Sequence, residues 1–154
     1  ATLAAVVCQQ AAANGVPLAL QVLLCPILDH AGTTLSRQAF AQGHLVDAAT
    51  LGHDLKHYLG SKGDVGDPRV SPSRGMPLRG LPPTIVHTAE FDPLRDEGRD
   101  YAERLNEAGV TTLYRCHLGM IHLFYGMGGV IPYAAAAYRE IGADIRSLLK
   151  LRTA

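Results

Sequence analysis

Hydrophobic positions along the chain repeat with two periods, and these mark out strands and helices. Leu18 to Leu24 is an apolar run of strand length closed by Pro26. Pro83 to Ala89 is short and β-rich, with Ile85 and Val86 between Thr84 and Thr88, which predicts a strand buried on both faces. Thr111 to Cys116 reads as a third strand. Thr2 to Ala13 is rich in Ala and Val and predicts a buried helix, ended by Asn14-Gly15. Leu45, Ala48, Gly52, Leu55 and Leu59 fall near one face of a helix over 45–59, interrupted only by the poor helix former Gly52. After Pro93 the stripe Tyr101, Leu105, Ala108 predicts another helix, with Gly109 as its C-terminal stop. A last helix enters at Pro132 and buries Tyr138, Ile141, Ile145, Leu148 and Leu149. From Gly60 to Pro82 the chain is dominated by Gly, Pro, Ser and Asp, which predicts a long loop over the sheet edge rather than a domain linker.

The pattern from Pro83 to His122 is strand, helix, strand, at a spacing that suits a βαβ unit of roughly 30 residues. The chain is therefore expected to be α/β with mostly parallel strands. In open α/β sheets ligands bind at the carboxyl ends of the strands. Asp92 follows the first of these two strands and His122 the second, so both side chains are expected at one sheet edge, within hydrogen-bond reach. Pro93 suits a first helical turn, and Asp96 and Glu97 place negative charge there, where the helix dipole favours it. Asp92 has two readings, a helix N-terminal cap or the acid that orients an imidazole. His122 is expected just after a turn at Leu118-Gly119-Met120. His87, inside a strand, reads as a satisfied core histidine, and Asp29 as a turn cap. Phe124 and Met127 follow the histidine closely and are candidates to line a substrate pocket, with ordinary core packing as the competing reading.

Composition narrows the function classes. The 154 residues suffice for one domain with a real core. Fourteen basic against fourteen acidic side chains give a formal net charge of zero, so nothing points to nucleic acid or an anionic membrane as a partner. Three cysteines without C-x-x-C spacing argue against a disulfide framework and for a reducing, cytoplasmic setting. No apolar run reaches the roughly 18 residues of a membrane span. His44, His53 and His57 invite a metal reading, but two histidines on one helical face need further ligands and no H-E-x-x-H occurs, so they read as surface histidines. Gly126-Met127-Gly128-Gly129 lacks the lysine and order of a phosphate loop and reads as a turn.

The string AEFDPLRDEG followed by GMIH resembles the C-terminal half of an α/β-hydrolase esterase of the hormone-sensitive-lipase type. LAAVV near the start, PILD at 26–29, HYLG at 57–60, DPRVSP at 67–72 and GLPP at 80–83 extend the resemblance over nearly the whole chain. It implies a three-layer α/β-hydrolase fold and hydrolysis of small carboxylic esters, with Asp92 orienting His122 and His122 as the base. It implies no cofactor and no metal. The pattern departs in one respect. The family's G-x-S-x-G and its HGGG-type oxyanion motif are absent, and none of Ser36, Ser61, Ser71, Ser73 and Ser147 has glycines at the required spacing. Ala1-Thr2-Leu3-Ala4-Ala5 resembles the helix that follows the nucleophile in this family, which implies that the missing serine lies just before Ala1. The chain is thus expected to be the C-terminal portion of one hydrolase domain, completed by a companion polypeptide that carries the serine. A homodimer of the complete enzyme through the last strand and last helix is a further expectation. The alternatives are a non-catalytic binding or regulatory module derived from a hydrolase, and a metal hydrolase, which the incomplete ligand spacing disfavours.

Overall fold

The computed structural model describes residues 1–60, 63–75 and 77–150; Ser61 lies outside them. Eight main elements follow in order: α1 (Thr2–Ala13), β1 (Gln21–Leu24), α2 (Leu35–Ala39), α3 (Ala48–Leu59), β2 (Thr84–Phe91), α4 (Arg95–Glu107), β3 (Thr112–Ile121) and α5 (Tyr133–Leu148). The strands form one parallel sheet in the order β1-β2-β3.

The sheet is the middle of three layers. On one face, Ala5 and Cys8 of α1 and Tyr101, Ala102 and Leu105 of α4 pack with Leu23 and Val86. On the other, Ala134, Ala137 and Ile141 of α5 pack with Cys25, Ala89, Phe124 and Tyr125. The central strand β2 is covered on both faces from Thr84 to Ala89, as its continuous apolar run predicts. Gly98 lets α4 approach it: a Cβ there would lie 2.6 Å from Cγ2 of Thr88.

Several boundaries differ from the sequence expectation. The first strand is only Gln21–Leu24. Helix α3 begins at Ala48 because Asp47 caps it, its carboxylate accepting from the Thr50 amide at 2.7 Å, and Leu45 lies outside with φ of 68°. Helix α1 spans Thr2–Ala13 but buries mainly its sheet side, Ala5, Val6 and Cys8, while Leu3 is 63% and Val7 56% exposed among the described residues. In α5 the buried face is Ala134, Ala137 and Ile141, and Tyr138 points outward; small side chains allow the helix to lie close to the aromatic cluster beneath it.

The largest correction concerns β3. Leu118-Gly119-Met120 is not a turn ending the strand; β3 continues to Ile121. Between the pairs Ala89↔His117 and Phe91↔Ile121, β2 advances two residues and β3 four. The extra length is absorbed as a bulge at Gly119, whose φ of +75° suits glycine and whose amide donates to the Glu90 carboxylate at 2.6 Å. No helix among the described residues is long and apolar enough to cross a membrane.

Candidate active site

Phe91 pairs with Ile121, so Asp92 and His122 are the next residues on two adjacent strands. Asp92 is completely buried and His122 nearly so. His122 Nδ1 lies 2.8 Å from Asp92 Oδ2. The other carboxylate oxygen, Oδ1, accepts from the Leu94 amide at 2.8 Å, closing the turn into α4. Each Asp92 oxygen thus has its own partner; the amide it holds closes a turn ahead of α4, whose N-terminal cap residue is Leu94. An ionised carboxylate only accepts, so a hydrogen bond to ionised Asp92 requires the imidazole proton on Nδ1 and leaves the lone pair of a neutral ring on Nε2. Among the described residues Nε2 has no hydrogen-bond partner.

The rest of the DPLRDEG segment braces this corner. Asp96 accepts from the Ser36 amide at 2.8 Å. Glu97 accepts from the Leu28 amide at 2.7 Å and pairs with Arg37 at 2.8 Å. Burial pushes the Glu97 carboxyl upward despite Arg37. These acids sit in the first helical turn as expected, and they are also buried anchors for the β1–β2 connection, which first-turn charge reasoning missed. Asp29 behaves as a turn residue, accepting from Ala31 at 3.0 Å, and adds an ion pair to Arg74 at 2.8 Å. Ser36 and Ser71 are both buried, donating to the carbonyls of Pro93 and Val65.

Beyond His122, Leu123 takes a left-handed φ of 55° and a 3-10 turn spans Phe124–Met127. The Phe124 ring is fully buried among Tyr125, Tyr133 and His117. It packs as core, and Met127 closes the same 3-10 turn. One cavity of about 280 Å³ opens beside Ala1, lined by Leu3, Ile27, His30, Leu55 and Tyr58. His53 and His57 are exposed on α3, their ring centroids 4.2 Å apart.

A third side chain joins the pair. Cys25, just past β1, is buried with φ of 43°, its amide donating to the His87 carbonyl at 2.8 Å. Its Sγ, an Asp92 oxygen and a His122 nitrogen all lie within 4.8 Å of one another. Burial first, and then the Asp92 charge, push the thiol up to about 12. The Tyr125 hydroxyl is buried beside it without a hydrogen-bond partner of normal geometry, its acidity suppressed by burial and by Cys25. Cys25 stands at the carboxyl end of a strand, so the argument that picks out Asp92 and His122 also applies to it.

A parallel sheet between helical layers, with a histidine and a buried acid at the ends of neighbouring strands, places the chain among α/β proteins of hydrolase type. A family model described as alpha/beta hydrolase fold matches residues 1–126. The chain belongs to that family, in its hormone-sensitive-lipase-type branch. It is 37% identical over 140 residues to an arylesterase of Saccharolobus solfataricus, covering 89% of this chain and 43% of the relative. It is 36% identical over 153 residues to the carboxylic ester hydrolase LipN of Mycobacterium tuberculosis, covering 96% and 41% respectively. Among solved structures it resembles an ester-hydrolase from the metagenome of Lake Arreo, with a TM-score of 0.91 at 38% identity, covering 95% of this chain and 47% of that one. The chain spans less than half the length of these relatives.

Proposed function

We propose that this chain supplies the acid and the base of a carboxylic ester hydrolase whose nucleophilic serine lies outside it. The carrying observation is the 2.8 Å contact between His122 Nδ1 and the buried Asp92 carboxylate. With Nδ1–H held by Asp92, Nε2 takes the proton of a serine hydroxyl as the serine oxygen attacks the ester carbonyl. Asp92 stabilises the imidazolium, and the proton passes to the departing alcohol. Water, deprotonated at the same nitrogen, then releases the acyl group from the serine. Oxyanion donors come with the serine. This chemistry needs no cofactor. The ester hydrolases among the relatives support the substrate class.

The chain is then the C-terminal portion of one α/β-hydrolase domain. The outward Leu3 and Val7 of α1 and the open edge of β1 fit a companion polypeptide. The open edge of β3, with Leu118 73% exposed beside it and Tyr138 outward on α5, fits a homodimer of the complete enzyme. The cysteines Cys8, Cys25 and Cys116 are all free, which fits a reducing compartment such as the cytoplasm.

The test is turnover of a short-chain aryl ester by the complete enzyme. His122→Ala should remove nearly all of it. Asp92→Asn should lower kcat by about 10⁴-fold, because the amide selects the wrong tautomer. Wild-type turnover in either variant overturns the assignment.

A further inference from the structure

Cys25 and Tyr125 have no part in the ester chemistry, yet both adjoin the Asp92–His122 pair. Thiolate, imidazole and carboxylate are the donor set of borderline-soft divalent cations, zinc above all, and not of magnesium or calcium. Zinc–ligand bonds of about 2.0–2.3 Å in a tetrahedron place neighbouring donors roughly 3.3–3.8 Å apart. Three donors within 4.8 Å of one another reach that arrangement by short side-chain movements. The buried Tyr125 hydroxyl, without a hydrogen-bond partner of normal geometry among the described residues, adjoins Cys25 as a fourth polar group. With Asp92 ionised, the imidazole neutral and the thiol protonated, the site before binding carries one negative charge in an apolar surround.

We propose that Cys25, Asp92 and His122, with Tyr125 adjoining, form a closed inhibitory site for a zinc-class divalent cation. Binding breaks the Cys25 S–H bond, forms an S–metal bond and sends that proton to solvent. His122 exchanges its Nδ1 proton for an N–metal bond and carries its single proton on Nε2 instead. One dication enters, one proton leaves, and the site becomes neutral. The consequence for catalysis rests on the hydrolase reading above. The lone pair that would accept the serine proton is now occupied, so kcat of the bound fraction falls to background. KM of the remaining fraction is unchanged, because those molecules carry no metal.

The experiment titrates chelator-treated complete protein carrying these 154 residues with Co²⁺ as a spectroscopic probe, and then with Zn²⁺. One equivalent of cobalt should give tetrahedral d–d bands and a thiolate-to-cobalt charge-transfer band. Zinc should displace it and suppress ester hydrolysis with the same stoichiometry. Cys25→Ala should abolish the charge-transfer band and weaken zinc binding by at least about 100-fold, and Tyr125→Phe should weaken it by roughly 10-fold, as loss of a supporting ligand does. A His53→Gln/His57→Gln variant should bind as the unmutated protein does, which excludes the exposed pair on α3. No thiolate band in the unmutated protein at saturating cobalt overturns the proposal, whether or not the Cys25 variant folds. Zinc inhibition that survives Cys25→Ala also overturns it. A thiolate band without any ester hydrolysis would keep the metal site and sink the hydrolase reading; hydrolysis lost in His122→Ala without a band would do the reverse.

Discussion

His87 Nδ1 lies 2.9 Å from His117 Nε2, joining β2 to β3 through two imidazoles that are both fully buried. The chain of contacts continues at both ends. His87 Nε2 meets Asp144 at 3.0 Å, and His117 Nδ1 meets the Tyr133 hydroxyl at 3.0 Å. Arg115 and Glu140 flank it from β3 and α5. One neutral arrangement satisfies the series: His87 donates to Asp144, His117 donates to His87, and Tyr133 donates to His117.

Acid should unfasten this network. Burial and the neighbouring His87 hold His117 down to about 4, and burial also lowers His87. Exposed histidine titrates near 6.5. Between those values the unfolded chain binds more protons than the folded one, so stability is fully present above about pH 6.5 and is lost as pH falls toward 4. His117 alone accounts for roughly 3 kcal/mol of that loss. Urea unfolding of the complete protein from pH 7.5 to 4.5 should show the slope, and His117→Gln should flatten it. An unchanged slope in the variant would assign the pH dependence elsewhere.

Gly98 should not tolerate a methyl group. A Cβ at 2.6 Å from Thr88 Cγ2 forces α4 off the sheet. We expect Gly98→Ala to destabilise by about 1–3 kcal/mol, the usual cost of overpacking, against a helix-propensity gain near 1 kcal/mol. Thr88→Ser removes the opposing methyl while keeping the hydroxyl bonded to Tyr114 at 2.9 Å. The double variant should therefore recover most of the loss in thermal melts; simple additivity would show that the clash is not the cause.

Breaking the Arg37–Glu97 pair should cost more than most single changes. The Glu97 side chain is 3% exposed and also accepts the Leu28 amide. Glu97→Ala leaves a cation and an amide uncompensated, for about 3–5 kcal/mol. Glu97→Gln retains an acceptor for Leu28 and should lose less. Chemical denaturation of both variants separates the two contributions, and equal losses would argue that the charge is immaterial.

The 154-residue chain by itself should neither hydrolyse esters nor stay dispersed. It has no recognisable nucleophile motif, and α1 turns Leu3 and Val7 to solvent. Light scattering and an aryl-ester assay on the purified chain check this. Turnover comparable to the complete enzyme and abolished by His122→Ala would mean that the nucleophile lies within these residues.

The βαβ unit was legible in the sequence because each of its cues is local. Pro93 fixes the backbone entering α4, Gly109 takes φ of +81° after it, and the apolar run of β2 announces a strand covered on both sides. Asp92 and His122 stand out in the sequence through the strand pattern taken together with DPLRDEG and GMIH. What was not legible depends on partners distant in sequence. Gly119 signals a left-handed residue equally well in a turn or in a bulge, and only the pairing with β2 decides between them. Asp96 and Glu97 read only as first-turn helix charges because their partners, Ser36, Leu28 and Arg37, lie about sixty residues away. For Phe124 the sequence leaves pocket lining and core packing open, and only the ring cluster with Tyr133 shows it packed as core.

The bulge at Gly119 makes the position of His122 a matter of arithmetic. With an uninterrupted ladder from Ala89↔His117, the residue opposite Asp92 would be Met120. Two additional residues carry the imidazole there instead, and because the number is even, the inward and outward sides of β3 keep their identities beyond it. The strand thus works as a vernier. With the bulge unchanged, adding two residues before Met120 would set a thioether against Asp92 and carry the imidazole one pleat too far, about 6.6 Å at parallel-strand rise, and removing two residues after the bulge would leave it short by the same distance. Neither change alters a single side chain of the pair. Comparing related chains at this corner is therefore a question of counting residues between the strand pairing and the histidine before asking which residues they are.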